Sequence, residues 1–206
     1  MKIVLASRNA HKIRELEAFL KPVDPNVEIL SLDDIGFEGD IEEDGETFEE
    51  NALIKAKTAA ARGYIGVADD SGLAVDALMG APGVYSARYS GEHGNDRENN
   101  ELLLANMKDV PDEKRTAQFV SVIACAFPDD VHEPIVSRGE CPGVILHDYR
   151  GTGGFGYDPL FLYEPYGKTY AEMNAEEKNS ISHRARAMEG FIRQFKELLA
   201  KEKFSV

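Results

Sequence analysis

Two aspartates stand side by side at Asp69 and Asp70, where an apolar run from Tyr64 gives way to Ser71-Gly72-Leu73. Carboxylates at the end of a buried strand are a common way for an α/β protein to hold a hard divalent cation, magnesium or manganese, which takes oxygen ligands. Neighbours on a strand point to opposite faces, so both reach one site only if the chain turns at Asp70. Ser71-Gly72 reads as that turn. Upstream, Glu42-Glu43-Asp44-Gly45 places three more carboxylates ahead of a helical stretch in which Asn51 and Lys55, four apart, share a face. Each of the three is a candidate metal contact. An acidic loop that merely supports the helix start would look the same.

Positive charge and glycine complete the set. Ser7-Arg8-Asn9-Ala10-His11-Lys12 follows a short apolar run and opens a helix, so backbone N–H groups, a positive dipole end and the Lys12 ammonium can face an anion. It lacks the glycines and the Gly-Lys-Ser/Thr ending of a Walker loop. Gly153-Gly154-Phe155-Gly156-Tyr157-Asp158-Pro159 lets backbone come close to a ligand, and Phe155 and Tyr157, one glycine apart, suit a clamp on a flat ring. Lys178-Asn179-Ser180-Ile181-Ser182-His183-Arg184 leads into the last helix, which begins near the cap Ser182, and cations just after a cap oppose the helix dipole. That placement favours a ligand role for His183 and Arg184, although a salt bridge would also account for Arg184.

These residues must be positioned by an alternating run of elements. Lys2–Ala6 reads as a buried strand, residues 10–21 as a helix stopped by Pro22, and Val27–Ser31 as a second strand. A second helix covers about Thr47–Arg62, a third strand Tyr64–Asp69, and a third helix Asn95–Lys108. Gly80–Gly94 is a loop region. Arg115–Phe127 and Pro134–Leu146 look like a two-stranded antiparallel ribbon with alternating faces, and a short strand is expected near Pro159–Tyr163. The final helix carries Met188, Phe191, Ile192, Phe195, Leu198 and Leu199 on one stripe. The expected fold is α/β: a mixed β-sheet with flanking helices, one domain over residues 1–206, bent into two lobes that share the sheet.

Composition narrows the function. A formal charge of −14 with no basic stripe argues against a nucleic-acid partner. A small anionic substrate remains compatible, because it needs only a few local cations and a bridging metal. No run of about 18 apolar residues exists, so no membrane span is expected. The two cysteines, Cys125 and Cys141, form no Cys-x-x-Cys pair, and the five histidines are scattered. Together they point to a reducing, cytoplasmic setting and away from zinc.

Taken in order, Ser-x-Asn-x-x-Lys near the N-terminus, Asp-Asp-Ser-Gly-Leu, Gly-Ala-Pro-Gly-Val-Tyr-Ser-Ala-Arg-Tyr at 80–89, Gly-Gly-Phe-Gly-Tyr-Asp-Pro and Ser-His-Arg form a series. The series resembles the inosine triphosphate pyrophosphatase family, in its bacterial dITP/XTP branch, from Met1 to about Leu199. That resemblance implies an elongated, two-lobed homodimer with the nucleotide in a cleft between lobes. It implies a magnesium-dependent enzyme, with manganese as a substitute, that converts inosine, deoxyinosine and xanthosine triphosphates to monophosphate and pyrophosphate. Ser7, Arg8, Asn9, Ala10, His11 and Lys12 would cradle the triphosphate, Arg8 and His11 with no special role. Asp70 would be the catalytic acid residue and a metal ligand, with Glu43 as its metal partner, Asp69 in support and Lys12 and Lys55 on the phosphates. Ser71 would touch the substrate. Phe155, Gly156, Tyr157, Asp158, Lys178, His183 and Arg184 would form the base pocket. The rival readings are a nucleotide pyrophosphatase of another base preference and a non-catalytic nucleotide-binding regulator.

Overall fold

The early alternation of extended and helical stretches produces a parallel half-sheet. The computed structural model describes residues 1–8, 10–91, 94–129 and 131–203, the side chains of residues 10, 11, 202 and 203 excepted. Strands β1 (Lys2–Leu5), β2 (Glu28–Leu30) and β3 (Ile65–Val75) run parallel, with Ile3 opposite both Ile29 and Ile65. Their connections are helices α1 (Ala10–Leu20) and α2 (Phe48–Ala60). Strands β4 (Thr116–Ala126), β5 (Ile135–Ile145), β6 (Phe161–Tyr163) and β7 (Lys168–Thr169) extend the sheet to the order β2-β1-β3-β4-β5-β6-β7. The last two pairings are antiparallel. The sheet is therefore mixed, and the fold is α/β. Helix α3 (Asp96–Asn106) precedes β4, and α4 (Ala175–Ile181) and α5 (His183–Lys203) end the chain.

The chain divides into two compact units. One comprises residues 1–70, 122–138 and 187–206; the other comprises 71–121 and 139–186. The divisions fall inside β3, β4 and β5, so Asp70 and Ser71 are neighbours on one strand yet belong to different units.

In the first unit both sheet faces carry helices. Val67 is packed with Leu16 and Leu20 of α1 and with Met188, Phe191 and Phe195 of α5. Its neighbour Gly66 faces the other way, against the backbone of α2 at Ala56 and Ala60. Helix α2 reaches that close because Ala52, Ala56 and Ala59, its sheet-facing stripe, are small and fully buried. A Thr47–Glu50 capping box fixes its start, satisfying two backbone donors at the helix entry.

The second unit has its own core, in which Leu73 and Val75 of β3, Leu103 and Met107 of α3, Phe119, Phe161 and Tyr170 are buried together. The Arg115 guanidinium is buried there and donates to the carbonyls of Ile145, Met107, Val110 and Leu146, which satisfies a charge that would otherwise be costly to enclose.

Two expectations are corrected. No turn replaces the strand at Asp70: β3 continues through Asp69–Val75. Ser71-Gly72 lies within the strand, so its local turn tendency does not decide the backbone there. The 116–126 stretch alternates only at its start and is buried on both faces afterwards, since β4 sits between β3 and β5 instead of in a free ribbon; β5 keeps the expected alternation. The last helix begins after Ser182, as expected, while the residues before it form a helix of their own. An Asn174–Glu177 capping box opens the separate helix α4, and Ser182 breaks the run and accepts from the Ala185 N–H to cap α5.

Candidate active site

Lys55 sits one turn beyond Asn51 on α2, 8% exposed, and its ammonium collects the acidic groups of the first unit. Nζ lies 2.7 Å from Asp70 Oδ1, 3.3 Å from Glu43 Oε1 and 3.1 Å from the backbone carbonyl of Asp69. Of the three acidic candidates before the helix, Glu43 is thus the one on this cation. Asn51 explains how the acidic loop is held. Its Oδ1 accepts from the Gly45 N–H at 2.9 Å, and Gly45 fits so tightly against Asn51 and Glu50 that no side chain has room there. Asn51 therefore docks the loop, two residues from Glu43.

Because β3 runs on past Asp70, the two aspartates diverge. Asp70 lies on the Gly66 face with α2, and Asp69 on the Val67 face with α1, where its Oδ2 is 3.1 Å from Lys12 Nζ. Each carboxylate meets a lysine from a different helix. Burial pushes the Asp70 carboxyl up to about 6; Lys55 opposes the rise, and the charges of Glu43 and Asp69 add to it.

One observation bears on a metal. Asp70 Oδ2 is buried and has no hydrogen-bond partner among the described residues. An unsatisfied carboxylate oxygen beside a second carboxylate fits a small hard cation, for which both supply oxygen donors. Among the described residues no group of three His, Cys, Asp or Glu side chains forms a closed site. Two protein carboxylates, with the remaining positions left to water and phosphate oxygens, is the donor set magnesium takes in phosphate-handling proteins.

The other phosphate-loop residues separate. Arg8 does not reach outward: its guanidinium is bonded to Asp33 at 2.7 Å, Asp40 at 3.3 Å and the carbonyls of Phe37 and Gly39. It closes the 33–40 loop, which leaves little donor capacity for a phosphate and corrects its assignment to the cradle. Ser7 and Ser71 are partly exposed, on the β1–α1 connection and on β3. Asn9 lies outside the described residues, as do the side chains of Ala10 and His11.

In the second unit the glycine loop, α4 and the start of α5 form a separate cluster. Asp158 Oδ2 accepts from Lys178 Nζ at 2.6 Å and from the Phe155 N–H at 3.0 Å. Gly154 has positive φ and lies directly against that carboxylate, with no room for a side chain. Burial raises the Asp158 carboxyl above its ordinary value, against the lowering by Lys178 and Arg184. Lys178 lies over the rings of Phe155 and Tyr170 at 4.8 and 5.0 Å. Phe155 is 64% exposed, a bare ring backed by a cation.

The expected two-ring clamp does not form. Tyr157 is 4% exposed and donates its hydroxyl to the Ser86 carbonyl at 2.8 Å, so it anchors the loop while Phe155 alone faces solvent. His183 stacks at 4.9 Å on Phe119, which stacks in turn on Tyr170 at 5.3 Å. Phe119 and Tyr170 escaped the sequence reading because an aromatic on a buried strand and one on a short turn look like ordinary core. Only the capping boxes at Asn174 and Thr169 signalled that ordered structure surrounds them.

Comparison with known proteins identifies the family of the chain. The profile of the Ham1 family matches residues 3–194. The dITP/XTP pyrophosphatase of Clostridium perfringens (strain 13 / Type A) is 53% identical over 195 residues, 91% of this chain and 94% of that protein. The Staphylococcus aureus Ham1 protein superposes with a TM-score of 0.86 at 40% identity, over 98% of this chain and 100% of that one. A nucleoside-triphosphatase/dITP/XTP pyrophosphatase from Mycobacterium abscessus superposes with a TM-score of 0.80 at 48% identity, over 91% and 97% of the two chains.

Proposed function

The chain belongs to the Ham1 family, and from that premise we propose that it hydrolyses non-standard purine nucleoside triphosphates, those of deoxyinosine, inosine and xanthosine, to the monophosphate and pyrophosphate. The observation that carries this reading is the meeting of Glu43, Lys55 and the half-satisfied Asp70 on one cation-lined face.

Release of pyrophosphate requires water to attack the α-phosphorus while negative charge builds on the α–β bridging oxygen. Glu43 and Asp70 would hold magnesium, or manganese in its place, which would supply neutralising charge to the phosphates when bound. Lys55 adds a point charge from α2, held in place by Asp70 until substrate arrives, and Lys12, which Asp69 holds on the α1 face, is a phosphate contact by the family resemblance alone. Asp70 takes the proton of the attacking water. In the metal-free protein burial makes the Asp70 carboxyl a stronger base than an ordinary aspartate; a bound divalent cation would lower that basicity together with the pKa of its water.

Phe155 stacks on the base, and Lys178, His183 and Arg184 supply hydrogen-bond donors around it. A 6-oxo purine offers an acceptor to such donors, whereas the 6-amino group of adenine would leave them unpaired at about 1–3 kcal/mol each. Asp158 holds Lys178 and the Phe155 backbone together, which supports its placement in the pocket. The reading includes a cytoplasmic homodimer, with the 80–89 segment and its exposed Tyr85 contributing to the dimer surface.

The test is product analysis. Purified protein with magnesium should release monophosphate and pyrophosphate from deoxyinosine and xanthosine triphosphates, far more slowly from those of adenosine and thymidine, and not at all in chelator. Orthophosphate as the product, or no hydrolysis, overturns the proposal. Binding without turnover would instead favour a nucleotide-binding regulator.

A further inference from the structure

Helix α3 stands outside the mechanism above, yet two of its side chains grip the loop that carries Phe155. The Gly156 N–H donates to Asp96 Oδ2 at 2.7 Å, and the Gly156 carbonyl accepts from Asn100 Nδ2 at 2.8 Å. Asp96 and Asn100 are four apart and so lie on one face of the helix. Both polar groups of a single glycine are thus held by one helix turn. Gly156 has a φ of +57°, in the left-handed region, and separates the exposed Phe155 from the buried Tyr157. Asn100 is 3% exposed, and its Oδ1 is buried without a hydrogen-bond partner among the described residues. That cost is accepted because rotating the amide would face oxygen against the Gly156 carbonyl.

We propose that Asp96 and Asn100 are positioning residues for base recognition, a brace that fixes the Gly156 peptide so that Phe155 is presented ready to stack. This deepens the reading of Phe155 as the base platform and rests on it. Other fastenings of the loop, among them Tyr157 on Ser86, Asp158 on the Phe155 N–H, the Asp158 N–H on the Phe155 carbonyl and the Gly153 N–H on Ala171, fall on residues beside Gly156 and not on its own peptide groups. Without the brace the glycine can explore its wide conformational range, and the ordering of Phe155 must then be met at the moment of binding. The reacting phosphates are untouched. The loss therefore falls on substrate affinity and not on the chemical step.

The experiment is steady-state kinetics of the full chain with magnesium and deoxyinosine triphosphate. Asn100→Ala and Asp96→Ala should raise KM by about tenfold with kcat within about threefold of wild type. Asp96→Asn keeps an acceptor oxygen and should stay near the wild-type KM. Inorganic tripolyphosphate, which has no base, should inhibit wild type and variants alike. In a Phe155→Ala background the brace substitutions should add little further, because the ring they present is gone. Unchanged KM in the alanine variants, equal weakening toward tripolyphosphate, or full additivity with Phe155→Ala overturns the brace. If Asn100→Ala does not fold, Asn100→Ser and the Asp96 pair make the same comparison. A wild-type protein that leaves deoxyinosine triphosphate intact fails at the earlier step and overturns the pyrophosphatase reading itself.

Discussion

Lys55 Nζ lies 2.7 Å from Asp70 Oδ1, while Asp70 Oδ2 on the same carboxylate has no partner among the described residues. One oxygen is committed to a cation and the other is held ready for one. Asp70→Asn keeps the shape but removes both the metal-facing charge and the proton acceptor. Turnover should fall by about a hundredfold or more, ~3 kcal/mol of transition-state stabilisation, with a much smaller change in KM. Initial rates at saturating deoxyinosine triphosphate measure it, and an unchanged kcat would remove Asp70 from the chemistry. Chelation of divalent ions should silence wild type to a similar degree.

That arrangement depends on how closely α2 approaches the sheet. Gly66 meets the α2 backbone at Ala56 with no space for a methyl group. Gly66→Ala must push away the helix that carries Asn51 and Lys55, at a cost of about 2–3 kcal/mol or more, near the upper end for overpacking. A lowered melting temperature together with reduced activity is expected. A variant with wild-type stability would show that α2 is not seated as described.

Much of this was legible in the chain, and the part that was not has a physical cause. The α5 stripe and the early strand–helix alternation follow from periodicity, which local sequence carries directly. Ser71-Gly72 misled because turn preference is local, whereas β3 belongs to a sheet assembled from strands distant in sequence. The consequence reaches the site: with no turn, Asp69 and Asp70 part to opposite faces and serve different lysines. Arg8 looked like a phosphate ligand because its distant partners, Asp33 and Asp40, become neighbours only in the folded loop. The stack of His183 on Phe119 joins a helix start to a strand far away in sequence, and no spacing rule announces it.

Asp158 makes stability depend on pH in a defined direction. Its folded-state carboxyl is raised above the reference value of 3.8 by burial, so the folded protein holds the proton more tightly than the unfolded chain. Below 3.8 the group is protonated in both states, and its relative stabilisation of the fold is fully present. As pH rises through the folded-state value that contribution is lost. Asp158→Asn cannot ionise, so the stability difference, variant minus wild type, should grow in favour of the variant from about pH 4 upward and then level off. Denaturant melts of both proteins at several pH values between about 4 and 7 test the slope separately from any constant offset left by the lost Lys178 contact. A difference that stays flat, or shrinks with rising pH, would mean that Lys178 outweighs burial.

Base choice is the last point at which residues can be separated by experiment. Arg184 follows His183 at the start of α5, and its charge is felt by the buried Asp158 of the glycine loop. A guanidinium that donates to a 6-oxo group gains nothing from a 6-amino group, so Arg184→Ala should lose more on inosine than on adenosine triphosphate. With about 1–3 kcal/mol tied to one such interaction, the inosine-over-adenosine ratio of kcat/KM should narrow by roughly tenfold to a hundredfold. Lys178→Met removes the cation beneath the Phe155 ring and should weaken both nucleotides more evenly, because stacking does not distinguish the two purines. The pair of variants therefore separates recognition of the 6-position from simple holding of the ring. Equal losses on both triphosphates in Arg184→Ala would move the discriminating donor elsewhere in the pocket.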